Sequence, residues 1–443
     1  MRFRTPLCIA MSAAMCLSGC VGAQGLSDVK PVAFLKGESG TLSEVKDSEA
    51  PSLTVANSGD ASPIITDLLN RRSVLASGSA YDQVAQAVLS TSSGVAEAEL
   101  RASKMRAVAR SKNWLPTVGP YISLDSLGEL VAGLLVEVTL YDNGKRKAER
   151  AFAAADVEVS AVALSQDMND RVFDGLKLYI TTAEAREKAS MAERGLGRMR
   201  EFNRVVSERV SGGASSLSDQ RVVRSIISEM EHEARTHREA QQSAAAELAT
   251  LTGGANLPEL TQATGLSLPP ESLTQLDVVR AEAEAKRAQA EGSLERASML
   301  PTLGVTGFLG QGDNSSVDYK GGGLGLGTAA EMEASRAREA AAQAGVAKAR
   351  EAAARKRAQL DNRLSALKRQ EHDSADLVQQ TRANYRIFQD QFEAGQKSVM
   401  DVLSVYEQMI REELKHIDLK YEIALTELEI ARVSGALADG ASI

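Results

Sequence analysis

Gly395-Gln396-Lys397-Ser398-Val399-Met400-Asp401 is the single break in a helical pattern that otherwise runs from Thr328 to Leu437. Before it, Leu360, Leu364, Leu367, Val378, Thr381, Tyr385, Phe388 and Phe392 follow a four-then-three rhythm interrupted by Glu371 and Ser374. After it, the rhythm resumes at Leu403, Ile410, Leu414, Ile417, Tyr421, Ala424, Leu428 and Ala431, with Glu407 as its polar member. This spacing is the seam of a left-handed coiled coil. At a rise of ~1.5 Å per residue, the arm from Thr328 to Ala394 is a rod of roughly 100 Å. Such a helix needs a neighbour along its length, so the break predicts an antiparallel hairpin.

The same event occurs earlier. A helix is predicted from about Ala80 to Lys112, ending at Asn113-Trp114-Leu115-Pro116-Thr117, where proline stops it and turns the chain extended. Ser298-Met299-Leu300-Pro301-Thr302 repeats this ending downstream. Alternating residues follow each Leu-Pro-Thr: Val118, Ile122 and Leu124, then Leu134, Val136, Val138 and Leu140 in the first copy; Leu303, Val305 and Leu309 in the second. Each copy therefore carries one β-hairpin and then a long arm. The first arm, from Asn143 to Val210, breaks at Gly213-Ala214-Ser215-Ser216-Leu217-Ser218-Asp219, which matches Gly395 to Asp401 as Gly-x-x-Ser-x-x-Asp. A shared tip inside two divergent hairpins marks a duplication. In the first copy, flanking helices of roughly 34 and roughly 38 residues stack end to end to match an arm of roughly 68; the second copy behaves alike.

These signals divide the chain into a signal peptide (1–19), an N-terminal tether (20–79), a first repeat (80–252), an equatorial linker (253–272), a second repeat (273–437) and a tail (438–443). Arg2 and Arg4, an apolar run and Leu17-Ser18-Gly19-Cys20 have the layout of a secretory signal ending in a bacterial lipobox, with Cys20 as the lipidated residue; an ordinary cleaved signal with an incidental cysteine is the alternative. The tether, rich in Ser, Gly, Asp and Pro, has no sustained period. Loss of Arg2 and Arg4 takes the formal net charge from -8 to -10, and no basic stripe is present, which argues against nucleic acid as a partner. No later stretch reaches the ~20 apolar residues of a transmembrane helix, so a membrane crossing would have to use strands.

These residues together resemble the TolC-like outer membrane efflux protein family over Ala80 to Leu437. The resemblance rests on the two Leu-Pro-Thr strand starts, Leu140-Tyr141-Asp142-Asn143-Gly144, the two tips and Ala431-Arg432-Val433-Ser434-Gly435-Ala436-Leu437. It implies a mainly α fold with a small β part. Long antiparallel coiled-coil hairpins in two repeats would form a trimeric α-helical barrel, joined to a short 12-stranded transmembrane β-barrel with four strands per chain. It implies an exit duct in the outer membrane of a Gram-negative bacterium, serving a tripartite efflux pump or type I secretion system. The implied partners are two further copies, outer-membrane lipid, a periplasmic adaptor (membrane fusion protein) and an inner-membrane pump or ABC transporter. About ten residues per strand barely meet the ~9–11 a tilted membrane strand needs. The second strand-to-helix junction, Gly327-Thr328-Ala329-Ala330, lacks the tyrosine and glycine of the first.

The same resemblance places a periplasmic gate at Asp219, Phe392, Lys397 and Asp401, with Asp219 and Lys397 as a latch between adjacent hairpins and Gly213, Ser216, Gly395 and Ser398 making the turns. Read from the residues alone, Ser216-x-x-Asp219 and Ser398-x-x-Asp401 are equally helix-capping arrangements. Trp114 marks either a membrane interface or a packed helix end. His232, His237, His372 and His416 lack the spacing of a metal site and read as solvated helix faces. Gly321-Gly322-Gly323 reads as barrel backbone. No catalytic triad, phosphate loop or dinucleotide fingerprint is present, so neither enzyme chemistry nor a cofactor beyond the lipid on Cys20 is expected. The competing reading is a lipid-anchored, non-conducting periplasmic coiled-coil scaffold or adaptor.

Overall fold

The computed structural model describes residues 62–124, 130–260, 265–310, 315–320 and 325–442. The chain divides into two units, Met1–Val55 and Ala56–Ile443. The first, with the signal segment and Cys20, lies outside the described residues, as do Gly321, Gly322 and Gly323.

The second unit is a wall of helices standing on a four-stranded sheet. In chain order it contains α1 (Pro63–Asn70), α2 (Ala80–Ser90), α3 (Val95–Ser111), β1 (Thr117–Leu124), β2 (Leu130–Tyr141), α4 (Lys145–Ser211), α5 (Leu217–Leu251), α6 (Leu276–Ser298), β3 (Thr302–Gly310), β4 (Ser315–Lys320), α7 (Thr328–Glu393) and α8 (Val399–Val433). At ~1.5 Å per residue, α4 with 67 residues and α7 with 66 are each roughly 100 Å long.

α4 is the middle of the wall. It packs against α2, α3 and α5 on one flank and α6 and α8 on the other, while α7 lies outside α6 and α8. The α7 seam is buried at Leu360, Leu364, Leu367, Val378, Thr381, Tyr385 and Phe392, as its spacing predicts. α8 buries a second stripe, including Val402, Tyr406 and Met409, because it is clasped between α7 and α4. At the α4–α8 contact, the Tyr406 hydroxyl donates to the Gly195 carbonyl at 2.8 Å. A Cβ on Gly195 would stand 2.9 Å from Met230 and 3.3 Å from Tyr406 and Ile410, so the absent side chain is what permits this approach. Further along, the Tyr421 hydroxyl donates to Glu187 at 2.8 Å and the Lys420 ammonium lies 2.9 Å from the same carboxylate. Burial raises the Tyr421 pKa and Glu187 adds to it, keeping the phenol a donor.

Of the seam's polar members, Glu371 has a partner on the facing helix, Glu407 pairs with Arg411 of its own helix at 3.9 Å, and the buried Ser374 hydroxyl has no hydrogen-bond partner among the described residues. Glu371 stands 3.8 Å from Nε2 of His416, so His416 lies at the α7–α8 contact rather than on the solvated face its sequence suggests. Buried Glu413 pairs with Arg382, and buried Glu427 pairs with Lys368 at 2.8 Å while accepting the Leu266 amide at 3.0 Å. The latter bond holds the equatorial linker against α8.

Short helices meet end to end beside the long ones. The Thr91 hydroxyl, after α2, donates to the Leu251 carbonyl at the end of α5 at 2.8 Å. Gly435, after α8, sits at φ +68° with the Leu276 side chain of α6 against it. Two expectations change. The single helix predicted over Ala80 to Lys112 is α2 and α3, divided where Gly94 takes the left-handed conformation at φ +66°.

The tether, read as an extended segment along the body or a partly disordered one to residue 79, is helical at α1 and packed from there onward. Its sequence is too short to show a period, and its order comes from distant partners. Leu68 is buried, and the Arg71 guanidinium donates to the Ser434 and Thr274 carbonyls at 2.8 Å each and pairs with Asp67 at 2.7 Å. The tail closes the same joint: Gly440 N–H donates to the Arg71 carbonyl at 2.9 Å, and the Asn169 side chain accepts the Leu437 amide at 2.8 Å.

The sheet runs β1-β2-β3-β4, antiparallel throughout, so β2 against β3 joins the two repeats. Strand lengths are 8, 12, 9 and 6 residues in that order, so the outer two fall short of the ~9–11 that span a bilayer. Among the described residues, no helix is long and apolar enough to cross a membrane.

Two glycines give opposite expectations. Gly435→Ala forces a side chain into a left-handed backbone and 2.4 Å from Leu276 Cγ, so it should lower unfolding stability, by about 1–3 kcal/mol. Gly197→Ala, mid-helix in α4 with nothing within 4 Å, should raise it by about 0.5–1 kcal/mol. Urea unfolding followed by helical circular dichroism reads both, and a stabilised Gly435→Ala protein would contradict the joint described here.

Candidate functional site

The tips and the sheet are the two ends that the sequence marks for function. At the tips, Gly-x-x-Ser-x-x-Asp proves to be one complete turn chemistry, used twice. Gly213 and Gly395 take φ +77° and +76° just past the ends of α4 and α7. In each turn the next amide reaches back to the helix: Ala214 N–H to the Arg209 carbonyl and Gln396 N–H to the Gln391 carbonyl, both 2.8 Å. The glycine amides donate to Val210 and Phe392 carbonyls at 3.1 and 3.0 Å, completing a Schellman motif. Three residues after the glycine, Ser216 and Ser398 cap the following helices. Their hydroxyls accept the Asp219 and Asp401 amides at 3.2 Å, and each carboxylate accepts its serine's amide at 3.2 and 3.0 Å, respectively. Every functional group of the motif is used in making the turn.

Within one chain no ion pair joins Asp219 to Lys397. Lys397 instead sits over the Phe388 ring at 4.8 Å. The Asp401 carboxylate is held below its ordinary pKa first by the Ser398 hydroxyl, then by the Ser398 amide, with Lys397 adding a smaller pull. Phe392, expected at the entrance, is buried at 3% exposure beneath the tip, its ring 5.3 Å from Phe202.

The contact that ties the two tips is one the sequence did not single out. Arg209, in the last turn of α4, lays its guanidinium 3.9 Å from the Phe392 ring centroid and donates to the Phe392 carbonyl at 2.9 Å. A half-buried cation–π contact of this kind contributes about 0.5–2 kcal/mol. A basic residue in the last turn of a helix also complements its negative end. That placement was the available signal.

At the other end, period-two alternation sorts the sheet into two faces. Val118, Ile122, Leu134, Val138 and Leu140 are exposed on one, Ile122 at 70%. The opposite parity carries Thr117, Glu137 and Thr306, with Glu137 directly across from Thr117 on β1 and Thr306 on β3. Trp114 lies at the helix-to-strand junction, 65% exposed, so in this chain it is not a packed helix end.

The Tyr141-Asp142-Asn143-Gly144 junction locks the base of the sheet to α4. Asn143 is at φ 50°, and its side-chain amide donates to the Pro301 carbonyl of the second repeat at 2.6 Å. The Asp142 carboxylate accepts the Gly144 and Arg146 amides at 3.1 and 2.9 Å. Partial burial raises the Asp142 pKa, but these bonds and the Arg146 guanidinium outweigh it, and the net shift is downward. Arg146 also donates to the Thr139 carbonyl. Among the described residues, the second junction, capped by Gly327 without a side-chain bond, shows no such lock.

Removing a capping hydroxyl isolates the turn's contribution. Ser216→Ala or Ser398→Ala should each cost about 1 kcal/mol and raise amide exchange in the first turn of the following helix. Because the Asp401 pKa is depressed, its contribution is complete at neutral pH and is lost as pH falls below the ordinary aspartate value of about 3.9 and through the depressed one. Protection of the Ser398 amide, which the Asp401 carboxylate accepts, should decline over that acid range once corrected for intrinsic exchange, and a flat profile would contradict the assignment.

No family model matches the chain, and no curated protein matches it in sequence. Solved structures do. The outer-membrane channel OprN superposes with a TM-score of 0.72 at 16% identity, covering 82% of this chain and 91% of that one. The CmeC outer membrane channel of Campylobacter jejuni gives 0.69 at 14%, covering 82% and 88%. The outer membrane protein VceC of Vibrio cholerae gives 0.70 at 15%, covering 80% and 96%. With four strands at one end, two capped helical tips at the other and these likenesses between, the chain has the fold of the TolC-like outer-membrane channels.

Proposed function

We propose that the chain is the exit duct of a tripartite efflux pump or type I secretion system in the outer membrane of a Gram-negative bacterium. It works as a homotrimer, its four strands per chain closing a twelve-stranded barrel and its helices continuing the passage into the periplasm. Cys20 carries the lipid that anchors the N-terminus. A periplasmic adaptor, a membrane fusion protein, docks at the tips, and an inner-membrane pump or ABC transporter supplies the energy. Transport through the duct itself is passive and needs no catalytic group.

The observation that carries this reading is the sheet: exposed apolar side chains from Val118 to Leu140 on one face, standing at the base of helices roughly 100 Å long. A soluble scaffold has no use for such a face, whereas a barrel turns it to lipid. Trp114 suits the membrane interface at the barrel's lower rim.

The gate lies at the tips. Arg209 on Phe392 holds the two hairpins of one chain together, and Asp219 with Lys397 is the latch proposed between adjacent hairpins, with Asp401 as an acid of the tip ring. Opening moves the tips outward and breaks these contacts. The short outer strands, 8 residues in β1 and 6 in β4, favour a second reading, the lipid-anchored scaffold that never conducts.

Planar-bilayer recording of the purified protein tests both readings. Stepwise currents are expected, with larger open probability in Arg209→Ala and Lys397→Glu. Unchanged gating in the variants would remove the latch and leave the channel. Silence from intact trimers would overturn the channel in favour of the scaffold.

A further inference from the structure

The chain is acidic overall, with a formal net charge of -8, yet one place in the fold is strongly basic. Residues 101–112, the later part of α3 and Lys112 after it, hold five basic side chains and no acidic one. Residues 145–150, the start of α4, hold four basic and one acidic. The matching stretches of the second repeat, 286–297 and 328–333, hold three basic and four acidic residues, so the excess belongs to the first junction alone. No basic stripe shows along the sequence because the first β-hairpin separates the two runs.

Folding puts them side by side. The Asn113 side-chain amide donates to the Arg146 carbonyl at 3.1 Å and to Glu149 at 3.0 Å, and Arg150 donates to the Asn113 side-chain oxygen at 2.8 Å. The nearby acids, Glu149 and Asp142, pair with Arg110 and Arg146, which leaves Lys112, Lys145 and Lys147 without an ion pair among the described residues. The cluster stands at the foot of the sheet: Trp114, 65% exposed, follows Lys112 by two residues, and β1 then presents Val118 and Ile122 on the exposed apolar face. Where apolar strands end in a bilayer, the next side chains stand among headgroups. Lysines there lay their stems on apolar surface and extend their ammonium groups to the phosphates. Groups of about four to eight basic residues beside a membrane segment attract anionic lipids.

We propose that the junction of α3 and α4 is a binding site for anionic phospholipid headgroups of the leaflet at the foot of the sheet, with Lys112, Lys145 and Lys147 as its phosphate contacts. This rests on the channel reading, which puts the sheet in the outer membrane. A zwitterionic headgroup carries its own ammonium group and gains less there, so the site discriminates by net charge. Attraction of the leaflet to these lysines also fixes the height of the membrane on the sheet, which matters for a β1 of only 8 residues.

The purified full-length protein in phosphatidylcholine vesicles, with traces of spin-labelled phosphatidylglycerol or spin-labelled phosphatidylcholine, tests this. Electron spin resonance reads the share of each lipid immobilised at the protein. At about 0.1 M salt, with a screening length of ~10 Å, the wild type should favour phosphatidylglycerol by about twofold or more. Lys112→Gln, Lys145→Gln and Lys147→Gln made together should abolish the preference, and the three arginine substitutions at the same positions should keep it. Lys348→Gln with Lys415→Gln, which removes charge far from the sheet, should match the wild type. In 1 M salt, where screening shortens to ~3 Å, the preference should shrink. An unchanged preference in the triple glutamine variant would overturn the site. Loss of the preference on adding inorganic phosphate at constant ionic strength would assign the lysines to a small anion and overturn it equally. Equal immobilisation of both lipids by the wild type overturns the site and leaves the channel reading standing. Failure of the folded wild type to immobilise either lipid instead overturns the placement of the sheet in the membrane, and the inference with it.

Discussion

A helix of 67 residues is held by neighbours, not by its own hydrogen bonds, and α4 is the helix on which this wall depends. It is covered on one flank by α2, α3 and α5 and on the other by α6 and α8. Its flank toward α8 approaches closely because Gly195 has no side chain and Tyr406 bonds its carbonyl. The short helices cannot cover α4 singly, so they abut, α5 against α2 at Leu251 and Thr91, α8 against α6 at Gly435 and Leu276. From that one requirement follow the equatorial joint, the buried Arg71 that closes it and the placement of both tips at the same end.

The sequence exposed some of this plainly. The α7 seam was legible because only one face of α7 is buried, the face toward α6 and α8. α8 was only half legible: two buried faces blur a period, and Tyr406 and Met409 belong to the second. Buried Glu413 and Glu427 were unreadable, since their bases, Arg382 and Lys368, come from another helix. The folding of the segment before residue 80 was hidden for the same reason, its order resting on Ser434 and Thr274, hundreds of positions away.

At the tips the motif was seen but its content divided. Gly-x-x-Ser-x-x-Asp locates both turns, and every group in it makes the turn itself. A capping carboxylate is already paired with backbone amides, which weakens it as the free partner of a distant lysine. The link between hairpins falls instead to Arg209, whose long side chain reaches from one Schellman turn to the aromatic beneath the other. Phe392 thus serves the tip from inside the hairpin, packed against Phe202, where its removal would loosen two helices at once.

The sheet carries the remaining constraint. In one chain β1 and β4 each have a single neighbour, so the order β1-β2-β3-β4 leaves an open edge at both sides. In water an open edge is tolerable; in hydrocarbon each unpaired backbone group costs several kcal/mol. The two edges lie on opposite sides of one antiparallel sheet, so a second copy can set its β1 against the first copy's β4, and the same contact repeated around a ring satisfies every edge with one kind of interface. Because neighbouring strands share their faces, a ring of this kind would keep the apolar parity on one side throughout and the Thr117, Glu137 and Thr306 parity on the other. In such a ring the short β1 and β4 would lie beside each other at the joint between copies, away from the longer central β2–β3 pair.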